Sequence, residues 1–138
     1  MKLAFVGLAL AWLTAAGAGG AGVRSCGTLT VGPTAIRTGG AGAGAPCMLV
    51  AFERCEAARY SLSSFGVDTV ATTSFAILRR DGGCSVSVAR TFEVVPQRPR
   101  PSGDGSCAAI AKESGQIVAT GCRGTGLADV ISLTDSGP

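Results

Sequence analysis

Histidine and asparagine are absent from the 138-residue chain, and only two of its twelve Lys and Arg residues are lysine. Without histidine no Ser-His or Cys-His nucleophile–base pair can form. A Cys/His zinc site goes with it, and there is no C-x-x-C pair to replace it. Without asparagine there is no N-x-S/T acceptor for glycosylation. Net charge is also scarce. The formal value of +3 falls to +2 once Lys2 is left out, too little to argue for a nucleic-acid partner. Apolar runs long enough to cross a bilayer are missing too. The longest, "LAFVGLALAWLTAA" from Leu3, falls short of the roughly 20 residues a spanning helix needs, and no basic cluster follows it.

That run is informative for another reason. Lys2, the apolar stretch and the small residues Ala16-Gly17-Ala18 follow the order of a secretory signal peptide, with cleavage expected after Ala18. Export explains six cysteines, Cys26, Cys47, Cys55, Cys84, Cys107 and Cys122, as a disulfide framework. The expected location is therefore secreted, periplasmic or extracellular.

Residues 19–45 hold little packing material, and "GGAGAGA" reads as a flexible linker. Only "TLTV" and "TAIR" have the composition of short strands there. An ordered domain is expected over 46–134, with 135–138 as a tail. Pro46 suits the start of a helix. Met48, Ala51, Phe52, Cys55 and Ala58 then recur at helical spacing. Cys47 and Cys55 are separated by about 12 Å along such a helix, beyond the reach of a mutual disulfide. Each needs a partner elsewhere.

Asp81-Gly82, between two alternating apolar runs, is a strong hairpin signal. It sets Ile77 opposite Val86, Phe75 opposite Val88 and Ala71 opposite Phe92, on one face with Cys84. A helix covering that face brings Cys84 to a helix cysteine. We expect Cys55–Cys84, with Cys47 left for Cys26. A second hairpin, "CAAIAKESGQIVATGC", with Glu113 to Gln116 as its loop, places Cys107 opposite Cys122. Between the hairpins "PQRPRPSGDG" reads as an exposed connecting loop. "LADVISL" offers a last short strand.

The expected fold class is α+β: one N-terminal helix on a four- to five-stranded antiparallel meander, similar in order to cystatin-like folds. The expected core is Met48, Phe52, Phe65, Phe75, Ile77, Val86, Val88, Phe92, Val94, Ile110 and Val118.

Candidate chemistry is thin. Glu53 and Glu56, with Arg59 one turn on, form a solvated charged face rather than an acid–base pair. Asp68 alone does not satisfy a calcium ion. "GTGLAD" lacks the third glycine of a dinucleotide fingerprint. "QIVATG" resembles the Q-x-V-x-G loop of cystatins, but Thr120 stands where that loop needs glycine, and strand alternation accounts for it. No catalytic, cofactor or metal residue is assigned.

From "CMLVAFERC" through "GVDTVATTSFAI", "GGCSV", "VVPQRP" and the closing "SC…GC" pair, the pattern resembles small exported bacterial proteins with a Cys-bearing helix followed by antiparallel strands. The resemblance implies a compact exported domain and no assigned activity. Cys26 lies outside it, which raises an envelope-anchored lipoprotein as an alternative. Arg24 and the long gap after the apolar run make "VRSC" a poor lipidation site.

The leading expectation is a non-catalytic binding or interaction module for an unknown protein or envelope ligand. The alternative from another class is a protease inhibitor presenting residues 95–103, with Pro96, Arg98, Pro99 and Arg100 as the interaction loop.

Overall fold

The computed structural model describes residues 22–32, 37–38 and 44–134. The expected signal peptide, most of "GGAGAGA" and the expected tail 135–138 lie outside them. Among the described residues the fold is mostly β, with ten strands and one helix. A seven-stranded sheet runs in the order β2-β1-β3-β4-β5-β6-β9. Its strands are β1 (Arg24–Val31), β2 (Arg37–Thr38), β3 (Ala58–Phe65), β4 (Thr69–Arg80), β5 (Gly83–Val94), β6 (Arg100–Cys107) and β9 (Arg123–Thr125). A smaller sheet has the order β10-β8-β7, from β7 (Ala109–Glu113), β8 (Gln116–Thr120) and β10 (Val130–Ser132). The helix α1 spans Gly44–Glu53.

This replaces the simple meander. A strand precedes the helix, so the helix is not N-terminal, and β1 pairs parallel with β3. Parallel neighbours need a crossover, and α1 supplies it. The strand β1 contains "TLTV", which the sequence offers as a short strand, and extends it back to Arg24. Leu29 is its one well-buried side chain, too little for an alternation to be read locally.

The long hairpin β4–β5 has the register set by Asp81-Gly82. Arg80 faces Gly83, Ile77 faces Val86 and Phe75 faces Val88 throughout an unbroken ladder. The second hairpin also keeps its expected register, Lys112 opposite Ile117. Its turn is tighter than the four-residue loop. Glu113 and Gln116 pair, leaving Ser114 (φ 48°) and Gly115 (φ 81°) with the two left-handed conformations of a type I′ turn.

The Pro-rich stretch departs from expectation. Residues 100–107 form β6, flanked by β5 and β9. Pro101 is tolerated because the register shifts between Arg90 and Thr91, leaving Ser102 as the extra residue of a bulge. Gly105 and Gly124 let β6 and β9 approach closely. A Cβ on Gly105 would strike the Arg123 carbonyl, and one on Gly124 the Asp104 carbonyl.

The helix is shorter than its apolar spacing suggests. Beyond Glu53 the Glu56 amide donates to the Ala51 carbonyl (2.8 Å) and the Cys55 amide to the Phe52 carbonyl (2.9 Å). This is a Schellman cap with Cys55 at the left-handed position, φ 50°. Ala58, which continues the helical spacing in the sequence, starts β3 instead, because Ala58, Tyr60 and Leu62 alternate into the core.

One core fills the space between the inner face of the large sheet and a cover made of α1 and the small sheet. Met48, Ala51, Tyr60, Phe75, Ile77, Val86, Val88, Ile110, Ala119 and Leu133 belong to it. The Tyr60 and Phe75 rings stack with centroids 6.1 Å apart. The Tyr60 hydroxyl donates to the Leu133 carbonyl at 2.9 Å, tying β3 to the end of the chain.

Candidate functional site

The cysteines divide into three pairs by position. Cys26–Cys47 ties β1 to the first turns of α1, and Cys107–Cys122 is the second bridge. The latter sits where the chain leaves the large sheet after β6 and where it re-enters at β9, so one bond clamps both crossings. Because Cys26 carries this bond to Cys47, its sulfur is not open to a thioether-linked lipid in the folded state.

The expected third bridge is not formed. Cys55 and Cys84 are thiols, both half-buried. The Cys84 thiol donates to the Phe52 carbonyl at 3.6 Å, the same carbonyl that accepts from the Cys55 amide at 2.9 Å. Burial pushes the Cys84 thiol from its ordinary 9.0 up to about 11, with neighbouring Cys55 adding to the shift and Arg79 opposing it. The two cysteines are thus neighbours, but the bridge expected between them is absent.

The other feature is at the opposite end of the hairpin. Phe65, Phe92 and Val94, expected in the core, are 40%, 44% and 39% exposed. For Phe92 and Val94 the reason is length: a ten-residue helix covers about 15 Å, while twelve-residue strands run about 40 Å, so the helix ends before the sheet does. Phe65 pairs with Val70, which pairs with Glu93, so it lies on the outer face of the sheet, opposite Phe92 and Val94. Val67 and Val95 in the adjoining connections are 92% and 54% exposed. The two connections are joined, since the Val95 amide donates to the Asp68 carbonyl at 2.9 Å.

This end also receives the four loop residues singled out in the sequence. Pro96 follows a cis bond from Val95, and the Gln97 amide donates to the Val94 carbonyl at 2.7 Å, closing a tight turn. Arg98 and Pro99 are exposed beyond it. Arg100 begins β6 opposite Phe92. The exposed apolar residues were not legible as a surface, because their alternation is the same as that of core strands. Comparing the helix length with the hairpin length is the signal that would have found them.

Two carboxylates, Asp68 and Glu93, are chain neighbours of these apolar residues, and Glu56 lies elsewhere. Glu56 meets Arg24 at 3.5 Å and Arg54 at 4.0 Å, an exposed network. Among the described residues no group of three or more His, Cys, Asp or Glu side chains is placed to hold a metal ion. No helix among them is long and apolar enough to cross a membrane. A cleft of about 270 Å³ beside the start of α1 is lined by Leu29, Ala45, Tyr60, Lys112, Ile117 and Leu133, apolar but for one cation.

Fold and site together define a disulfide-bearing, mostly β domain with one helix and an uncovered apolar sheet end. No family model matches the chain, and no curated protein or solved structure is significantly similar to it.

Proposed function

We propose that this protein is an exported interaction module that acts by binding, and that its docking surface is the uncovered end of the large sheet. The observation that carries the reading is that, of nine large hydrophobic residues exposed among the described residues, Phe92 and Val94 on the inner face gather with Val67 and Val95 of the adjoining connections at one end of the sheet, and Phe65 sits at the same end on the outer face. Large apolar side chains gathered in one region of a surface are a usual mark of an interaction site. At these exposures Val67, Phe92, Val94 and Val95 present on the order of 400 Å², short of the roughly 800 Å² per partner of a standard interface, which favours a transient contact. Arg98 and Arg100 at the rim suit a protein partner with an apolar centre and acidic margins. The two disulfides are compatible with a secreted or extracellular setting.

The inhibitor reading has less support. Arg98 and Arg100 are each followed by proline, Pro99 and Pro101, so neither offers the ordinary N–H peptide bond that a trypsin-type enzyme engages. The Val94–Gln97 turn is also folded back on itself rather than extended.

The test is site-specific photocrosslinking of the exported protein in its native setting, with the probe at Val67 and a control probe at exposed Val130. We expect an adduct at Val67 alone, lost in Phe92→Ser while the thermal melt is unchanged. Equal adducts at both positions, or none, would overturn the reading. An adduct of twice the chain mass would make the occupant a second copy.

A further inference from the structure

The far end of the β4–β5 hairpin holds the second unusual feature, and it takes no part in docking. Ten residues of strand, about 34 Å, separate Cys84 from Val94. Four observations converge on Cys55 and Cys84. Both remain thiols while the other four cysteines are bonded. They meet at one carbonyl, since the Phe52 oxygen accepts from both the Cys84 thiol at 3.6 Å and the Cys55 amide at 2.9 Å. Both are half-buried, whereas Cys107 and Cys122 are 1% and 3% exposed. Finally, Cys55 occupies the left-handed helix-cap position where glycine is the usual residue, and a side chain kept at such a site invites a functional explanation.

A cleft of about 250 Å³ adjoins their chain neighbours and is lined by Gly22, Arg24, Glu56, Ala57 and Arg79. Glu56 follows Cys55 in the chain, and Arg79 is the register partner of Cys84. Arg24 is paired with Glu56 there, so Arg79 is the cation left for an anionic reagent such as the tripeptide disulfide of glutathione.

We propose that Cys55 and Cys84 are a redox-active dithiol, which external low-molecular-weight disulfides oxidise to a third, labile bridge joining the end of α1 to the start of β5. The Cys55 thiolate attacks one sulfur of the external disulfide. That S–S bond breaks, a Cys55 mixed disulfide forms, and the first thiolate leaves and takes up a proton. Cys84 then loses its proton to solvent and attacks the Cys55 sulfur, expelling the second thiolate. Two protein thiols are oxidised by two electrons and one external disulfide becomes two thiols. The order follows from the environment. Cys84 holds its proton more tightly and is the poorer first nucleophile. Once Cys55 is in the mixed disulfide, its thiol no longer adds to the hold on that proton, and Arg79 remains to favour the thiolate. Half-exposed bridges are the ones that exchange readily, which separates this pair from the buried Cys107–Cys122.

The test equilibrates the purified exported protein in glutathione buffers from reducing to oxidising. Acid quenching, alkylation, intact mass and peptide mapping follow. We expect alkylated thiols to fall from two to none in a single step, with a Cys55–Cys84 peptide appearing while the other two bridges stay closed throughout. In Cys84→Ser the Cys55–glutathione adduct should accumulate, because nothing resolves it. In Cys55→Ser, Cys84 should stay mostly free. Two alkylated thiols at every potential would overturn the proposal. So would a Cys55–Cys84 bridge as resistant to reduction as the other two, or adducts on Cys84 rather than Cys55.

Discussion

Replacing Cys107 and Cys122 together by alanine should cost about 3 kcal/mol of stability, the chain entropy a crosslink of this span removes from the unfolded state. The bridge joins residues 15 apart in sequence. Alanine is the right replacement, because both sites are buried and a serine hydroxyl there would need a partner. For a domain of this size a loss of about 3 kcal/mol lowers the melting temperature by roughly 12 °C or more. Urea unfolding followed by far-UV circular dichroism gives the free energy directly. Its midpoint should fall by roughly 1–3 M, and the slope should rise, because the uncrosslinked chain exposes more surface when it unfolds. The bridge also clamps the two crossings between sheets, so β9 should exchange its amides faster in the variant than β4 or β5 does. A loss below about 1 kcal/mol would refute the reasoning. It would mean that the type I′ turn already holds the hairpin closed in the unfolded ensemble, leaving little entropy for the bond to remove.

Three further outcomes follow from the same structure. Tyr60→Phe removes the donor to the Leu133 carbonyl and should cost about 1–2 kcal/mol in urea unfolding, and an unchanged midpoint would count against that hydrogen bond. Gly105→Ala sets a methyl against the Arg123 carbonyl and should release β9. Hydrogen exchange should then speed up at 104–106 and 123–125 while the β4–β5 ladder keeps its protection, and uniform protection would contradict the close approach. In the reduced protein, alkylation of Cys84 should keep rising with pH to about 11 rather than level near 9, and Cys55→Ala should bring the rise to lower pH. The sign for stability is set by the same shift. The unfolded chain loses the Cys84 proton first, so this contribution is complete below pH 9 and is lost as pH climbs towards 11. A melt flat across that window would refute it.

What could be read locally was read correctly. Asp81-Gly82 between alternating apolar runs fixes the β4–β5 register, because a two-residue turn leaves one way to pair the strands and a slip would reverse every side chain. The same arithmetic sets Cys107 beside Cys122. The exposed loop residues Pro96 to Arg100 are polar and proline-rich, and they lie at the surface. Beyond this, local pattern is silent. The strand β6, "RPSGDGSC", has no apolar alternation, and becomes a strand only because β5 and β9 lie on either side and glycines let β9 approach. The helix ends at Glu53, although its apolar spacing continues, because Tyr60 and Leu62 gain more burial as a strand beside β1 and β4. Whether Phe75 or Phe92 is core was likewise undecidable from strands that look alike. The sequence determined the hairpin registers and the pairing that closes Cys107–Cys122, since these depend on neighbours along the chain. Only the tertiary structure decided which end of the sheet stays bare and which two cysteines stay as thiols. The first depends on how far a ten-residue helix reaches across a sheet more than twice its length, the second on how the helix cap and β5 place Cys55 and Cys84 around the Phe52 carbonyl.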